Sequence, residues 1–477
     1  MNKALKNRTL NRKSINVVLL LLLVFIILGA VFWVLNIDYE PKYGDTVEYW
    51  QLSKTLQVDS WRTLAYPLIL RFFSSMPFVS PLIPLYIMQT VVSFLAAYYL
   101  FLTLDTVNEN SPQQADGVFT LRENKRKMGR INSNALFLSL LLIIIPIINH
   151  FNLTVLTDSL AASLFVISIV AMARIFVLEE ISKITLLIAS INLCGSVFLR
   201  TERFVYFLVL CLFLLFWNIA VKSQKKVIIS LFFVLIILGS NQINQLTQTS
   251  DLGRPKVSIA FALFERTAQG HFAELLPKMP SVMRNRISID LAKLWDTDPN
   301  FSIVIGANLN DQAGKEAMIQ GSIIALSNNF FDILKKSFID FLEYLFAPLN
   351  YARESFWPKK DPTSWTNSRM DGNHPAFVAF YRNSSSFILG VILLISVFII
   401  KNIFKSSAGL KSVFVFWSFC LILFSLFFAS RTSLDSHIRY ALPVYFLEFG
   451  VLFWISQQHL AKTISVVPEY LKLKPKK

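Results

Sequence analysis

Residues 15–35 read INVVLLLLLVFIILGAVFWVL, and 43–50, just beyond them, read YGDTVEYW. The first stretch is apolar for long enough to cross a hydrocarbon layer of roughly 30 Å, which takes about 20 helical residues. The second carries Asp45 and Glu48 where a chain leaving that layer first meets water. Lys3, Lys6, Arg8, Arg12 and Lys13 precede the run, and no small-residue cleavage site follows it. The expectation is a retained first span with a cytoplasmic amino end, rather than a cleaved leader.

The same pattern recurs. Apolar runs lie at about 81–103, 135–150, 158–178, 184–200, 204–221, 227–246, 386–402, 412–430 and 440–458. Hydrophobic residues make up 54% of the 477 and charged ones 16%, a balance that leaves little polar surface for a soluble domain. In hydrocarbon the backbone must satisfy its own hydrogen bonds, so the expected fold is an all-α polytopic membrane protein of about ten transmembrane helices. Basic residues set the orientation: Arg122, Lys125, Arg126, Lys127 and Arg130, then Lys222, Lys225 and Lys226, then Lys401, Lys405 and Lys411, then Lys472, Lys474, Lys476 and Lys477. They fall in alternate connections, which places those connections and both termini in the cytoplasm. The Phe-rich, Lys- and Asn-containing composition points to a bacterial plasma (inner) membrane.

The net charge of +16 is spread over these connections instead of forming one basic face, so no nucleic-acid partner is expected, and membrane lipids account for it. Cys194, Cys211 and Cys420 sit inside apolar runs with neither metal-ligand nor disulfide spacing. No HExxH, Walker loop, GxSxG or CxxC occurs, and the five histidines are dispersed. No cofactor or metal is expected.

Three parts follow. Residues 1–246 form a transmembrane module whose first outer loop, 37–80, holds two surface helices, near Val47–Leu56 and Leu64–Phe73. Residues 247–385, punctuated by Gly253, Pro255, Pro277, Pro280, Pro348, Pro358, Pro362 and Pro375, form a mostly helical external domain. Residues 386–477 supply the last spans and a basic tail. Within the external part, Leu326, Phe330, Ile333, Leu334, Phe338, Phe341, Leu342 and Leu345 repeat at helical spacing, opposite Asn329, Asp332, Lys336, Asp340 and Glu343. That is the pattern of an interfacial helix.

The span interiors offer little polarity beyond Asn192 and Gln242; charge gathers at the outer ends. There stand Asp45, Glu48 and Arg62, then Asp158, then Arg200, Glu202 and Arg203, then Arg431, Asp435, His437 and Arg439. Ionisable groups at membrane depth are costly and carry a functional hypothesis. Arginines offer forked donors to phosphate oxygens, a carboxylate can accept a proton from an attacking hydroxyl, and fixed cations stabilise a departing phosphate. That set suits group transfer from a lipid phosphate. Each residue also has a structural reading: Asp45 and Asp158 as helix caps, the arginines as headgroup anchors, and Trp50, Trp61, Trp357 and Trp365 as boundary residues.

The stretches Gly44-Asp45-Thr46-Val47-Glu48-Tyr49-Trp50, Arg62-Thr63-Leu64-Ala65-Tyr66-Pro67-Leu68, Thr157-Asp158-Ser159-Leu160-Ala161, Arg200-Thr201-Glu202-Arg203 and Arg439-Tyr440-Ala441-Leu442-Pro443 come in an order that resembles the GT-C superfamily of integral-membrane glycosyltransferases, which includes the dolichyl-phosphate-mannose protein mannosyltransferases and bacterial relatives. The resemblance implies a polyprenyl-phosphate-linked sugar donor, a glycan, lipid or protein acceptor, and Asp45 as catalytic base. Paired acids are adjacent in several relatives, whereas Asp45 and Glu48 are separated by two residues here. Arg62, Tyr66, Asp158, Arg200, Arg203, His437 and Arg439 are the candidate substrate-binding residues. Two other functions compete. An O-antigen-type polymerase or ligase would rest on Arg431 and His437, and a lipid-linked-sugar transporter would need polar groups near mid-membrane.

Overall fold

The computed structural model describes residues 44–58, 63–77, 80–109, 132–144, 157–200, 203–247, 259–298, 301–345, 412–413 and 415–420, with single residues of 148–155 and 442–454. The apolar runs at 15–35 and 386–402 lie outside the described residues, as do Arg62, Glu202, Arg431, Asp435, His437 and Arg439.

Two helices precede the first described span: α1 (Gly44–Thr55) and α2 (Ala65–Ser74). The membrane part continues with α3 (Leu82–Glu109), α4 (Ser133–Ile144), α5 (Asp158–Phe176), α6 (Lys183–Leu199), α7 (Arg203–Ala220) and α8 (Gln224–Leu246). Four of these, α3, α5, α7 and α8, are long and apolar enough to cross a bilayer, while α4 and α6 are shorter apolar helices. The chain is a largely helical membrane protein, with no strand among the described residues.

Local chemistry sets several of the boundaries. Pro84 and Pro67 fall in the first turns of α3 and α2, where a missing N–H costs nothing. The described part of α4 ends at Ile144, and Ile148, within the run that the sequence predicts to reach 150, is again helical. Ser182 caps α6, its hydroxyl accepting the Thr185 N–H at 3.0 Å.

Helix α5 is the hub. It is buried along nearly its whole length, against α3 on one side and α6 on the other. Ala161, Ala162, Ser163, Ser168, Ala171 and Ala173 keep it thin enough for neighbours to approach closely, the usual means of packing helices where water supplies no hydrophobic drive. The other faces of the bundle are lipid-like: Phe216 and Trp217 of α7 and Ile228 and Leu235 of α8 are exposed. Val413, Trp417, Cys420, Phe446 and Trp454 join the same core, so the C-terminal region packs on the bundle. Trp454 Nε1 donates to Asp105 Oδ1 at 2.7 Å, and Asn132 Nδ2 donates to Asp105 Oδ2 at 2.7 Å.

The bundle has two distinct polar ends. At one, Lys226 Nζ donates to Glu179 Oε1 at 2.7 Å and holds that carboxyl below its ordinary range, while Arg174 pairs with Glu180 at 2.6 Å. The connections 177–182 and 221–223 therefore share that end. The opposite end gathers Asp158, Arg200 and Arg203.

A second core lies in the segment expected to be external, built from α9 (Ile259–Ala268), α10 (Phe272–Leu275), α11 (Ser281–Arg286), α12 (Ile289–Thr297), α13 (Ser302–Asn308) and α14 (Gln312–Leu345). Phe264, Phe272 and Trp295 stack at its centre with ring centroids 5.1–5.5 Å apart. The Asp296 carboxylate accepts the N–H groups of Gly270, Phe272 and Ala273 at 2.7–2.8 Å, capping the short α10. Trp295 Nε1 donates to Ser302 Oγ at 2.9 Å, and Ser302 donates to Glu265 Oε1 at 2.5 Å. The last helix begins earlier than the repeat at 323–346 predicts: residues 312–325 already form helix, with Ala317, Met318, Ser322 and Ala325 buried.

The start of α14 is a close approach. Arg286 grips Asp311 through both oxygens, at 2.7 and 2.9 Å, which together with the Gly314 N–H draws that carboxyl down to about 2. A Cβ on Gly314 would stand 2.3 Å from the Leu309 carbonyl oxygen, a backbone atom that cannot rotate away. Gly314→Ala is expected to destabilise the external segment by about 1–3 kcal/mol, as overpacking does. Hydrogen exchange over residues 259–325 would show this as faster exchange that leaves the exchange of α5 unchanged.

Candidate functional site

The site begins with three chain ends that meet at one end of the bundle: the start of α5, the end of α6 and the start of α7. Asp158 opens α5, where a carboxylate complements the exposed N–H groups and the helix dipole. Arg200 stands immediately after α6 in extended conformation, with its backbone N–H still bonded to the Ser196 carbonyl. From there its Nη2 reaches the Asp158 carboxylate, and its Nε donates to Thr157 Oγ1 at 3.0 Å. Both partners are buried, so the pair sits where each charge needs the other. Arg203, the first residue of α7, is buried beside them, with its guanidinium carbon 4.9 Å from the centre of the Phe165 ring.

Helices α1 and α2 sit on this end. In α1, Thr46, Tyr49 and Ser53 share the inner face at helical spacing. Thr46 Oγ1 donates to the Val155 carbonyl at 3.3 Å, and the Tyr49 hydroxyl lies 3.3 Å from Thr157 Oγ1. Thr157 thus links α1 to Arg200 through one hydroxyl. Ahead of α2, Thr63 Oγ1 donates to the Leu199 carbonyl at 3.3 Å. Tyr66 is fully buried, meets Tyr49 edge to face at 5.0 Å and donates to Gln89 Oε1 of α3 at 3.2 Å.

Below Tyr66 the polar chain continues into the bundle. Gln89 Nε2 donates to the Asn152 carbonyl at 2.8 Å. The Asn152 side-chain oxygen accepts from Ser93 at 2.7 Å and also from Ser159, and Ser93 and Ser163 lie 2.9 Å apart. This corrects the expectation that the span interiors hold little polarity beyond Asn192 and Gln242. Asn192 only bonds back to Ile188 of its own helix and Gln242 is exposed, whereas Gln89, Ser93, Asn218 and Asn244 are buried. Asn244 Nδ2 donates to the Val197 carbonyl at 3.0 Å, which brings the end of α8 to the same end of the bundle as Arg200.

Of the residues singled out by sequence, the structure brings together Tyr66, Asp158, Arg200 and Arg203, with Glu48 half-buried on the helix above them. Asp45 occupies the second position of that helix, one turn before Tyr49. Arg62, His437 and Arg439 lie outside the described residues. Sequence reasoning missed Tyr49, Thr157, Gln89 and Asn152 as members of the network. The one signal available was the i, i+4 spacing of Gln89 and Ser93 within an apolar run. Among the described residues no three His, Cys, Asp or Glu side chains gather as metal ligands.

Chemically, the arrangement is a buried, permanently charged guanidinium fixed by a carboxylate and a hydroxyl, beneath a helix that begins with an acid. With Arg200 committed to Asp158 and mostly covered, it presents little surface to an incoming phosphate. Its geometry suits holding α1 and the ends of α5 and α6 in one place. No family model, curated protein or solved structure matches the chain.

Arg200→Met and Asp158→Leu should each destabilise the bundle by about 3–5 kcal/mol, because each strands a buried charge. The double variant should recover a large part of that loss. Unfolding of all three variants in mild detergent checks this; a cost for the double change equal to the sum of the two single costs would mean that the two side chains are not coupled.

Proposed function

We propose that the protein is a membrane glycosyltransferase that moves a sugar from a polyprenyl-phosphate donor to a glycan, lipid or protein acceptor at the outer membrane face. The observation that carries the reading is the seating of α1. Its inner face is tied by Thr46 to Val155 and by Tyr49 to Thr157, directly above the Asp158–Arg200 pair. The acid-bearing first turn therefore stands on a rigid support at the membrane boundary, as a catalytic group needs. In this reading Asp45 is the general base that takes the acceptor's proton, and Glu48, one turn on, orients the acceptor. Arg62 and Arg439 provide the forked donors for the donor phosphate, and His437 belongs to the same substrate cavity. Tyr66, Asp158, Arg200 and Arg203 act from beneath, by holding that loop in place.

The reading assigns the remaining apolar runs to further spans, about ten in all, with both termini cytoplasmic in a bacterial inner membrane. A carrier of lipid-linked sugars is the second reading, favoured by the buried amides Gln89 and Asn152, since transporters place polar groups between spans.

Reconstituted protein supplied with a panel of radiolabelled polyprenyl-phosphate sugars tests both readings. The transferase reading expects a covalent product whose rate falls by about 10²–10⁴-fold in Asp45→Asn, the range of a lost general base. The variant should keep wild-type thermal stability. Normal transfer by Asp45→Asn would remove Asp45 from the role of base, and sugar movement across the vesicle without covalent product would favour the carrier.

A further inference from the structure

Helix α14 has two apolar faces, and the external core covers only one of them. Ala317, Gly321 and Ala325, three residues at i, i+4, i+8, face inward: Ala317 and Ala325 are buried, and a Cβ on Gly321 would stand 2.9 Å from the Phe264 ring. Ile319 and Ile323 lie on the opposite side and are exposed. At Asn329 the backbone leaves helical geometry, with φ −126° and ψ 30°, and none of residues 330–335 beyond this kink is buried. Phe330 is 53% exposed, Phe331 79% and Leu334 52%. Ile319, Ile323, Phe330 and Leu334 follow one another by four, seven and four residues, a single stripe along a helix. In sequence, Phe338, Phe341 and Leu345 continue that spacing. On the other side, Asn328 accepts from Lys278 at 2.9 Å, and Asp332 and Lys335 are exposed.

We infer that the distal half of α14 is a foot that seats the external segment on the bilayer, with Phe330, Phe331 and Leu334 in the headgroup–acyl boundary. Three observations select a lipid surface as the occupant. The chain enters this segment from α8, whose end is held in the bundle by Asn244. Past α14 it returns to the bundle, where Val413, Trp417 and Cys420 are buried, so both ends of the segment are tethered to a membrane-spanning core. The stripe is backed by a polar side on which Asp332 and Lys335 are exposed, the two-faced pattern of an interfacial helix. A fully polar domain surface would leave the segment swinging on its tethers; this one has an adhesive edge. The inference stands independently of glycosyl transfer.

Photocrosslinking in the full-length protein tests it. p-Benzoylphenylalanine is placed at position 331, 334 or 328 in protein reconstituted into nanodiscs of phosphatidylcholine with phosphatidylglycerol, and adducts are read by mass. Positions 331 and 334 should give lipid adducts several-fold above position 328, with each variant melting at the wild-type temperature. Crosslinks from 331 or 334 to another part of the chain or to a second copy would overturn the inference, as would lipid yields equal to those at 328.

Discussion

The arrangement rests on one buried ion pair. Asp158 opens α5 and Arg200 directly follows α6, 42 residues apart in sequence, and neither charge is tolerable when buried alone. Pairing them fixes the start of α5 against the end of α6. The guanidinium Nε then orients Thr157, and Thr157 meets Tyr49 of α1. A hydrophobic contact in the same place would hold the helices together but would not specify the rotation of α5 or the height of α1 above it. Directional bonds do both, because a shift of about an ångström breaks them.

A second polar layer under the first extends this logic. The amides of Gln89 and Asn152 and the hydroxyls of Ser93, Ser159 and Ser163 bond one another between α3, α5 and the segment before α5. In a bundle where lipid is as apolar as leucine, such bonds choose partners that greasy surfaces cannot distinguish. Tyr66 joins this layer to the loop helices through its hydroxyl on Gln89, and Thr46, Tyr49 and Thr63 key the same loop to Val155, Thr157 and Leu199.

Much of the helical frame was legible in the sequence, because an apolar run of fixed length is a direct physical demand of the bilayer. The run at 158–178 became Asp158–Phe176, and that at 204–221 became Arg203–Ala220. The two helices expected near Val47–Leu56 and Leu64–Phe73 were also visible ahead of the next run, and they stand at Gly44–Thr55 and Ala65–Ser74. The network was not visible. Tyr49 and Thr157 are 108 residues apart, and Gln89 and Asn152 are 63 apart. Nothing in the local pattern of a hydroxyl or an amide names a partner so distant. The charged residues of the site could be grouped by membrane face, but that grouping did not foresee that Arg200 is taken by Asp158. The second apolar face of α14 was half legible: the repeat after 326 was plain, while the inward face at Ala317, Gly321 and Ala325 is too small-sided to register as hydrophobic periodicity.

The burial of α5 has a consequence for how the protein is made. A span surrounded by protein on all sides, with an aspartate at one end and Arg174 near the other, gains less from lipid than its apolar length implies. Its stable place exists only once α3 stands on one side and α6 on the other. Synthesis delivers α3 first and α6 immediately after, and the connection 177–182 is short enough to make α5 and α6 a hairpin. The counter-charge that makes the end of α5 acceptable in the membrane, Arg200, therefore arrives on the very next helix. Order of emergence and order of packing coincide, and the interval during which Asp158 lacks its counter-ion is limited to the synthesis of a single span.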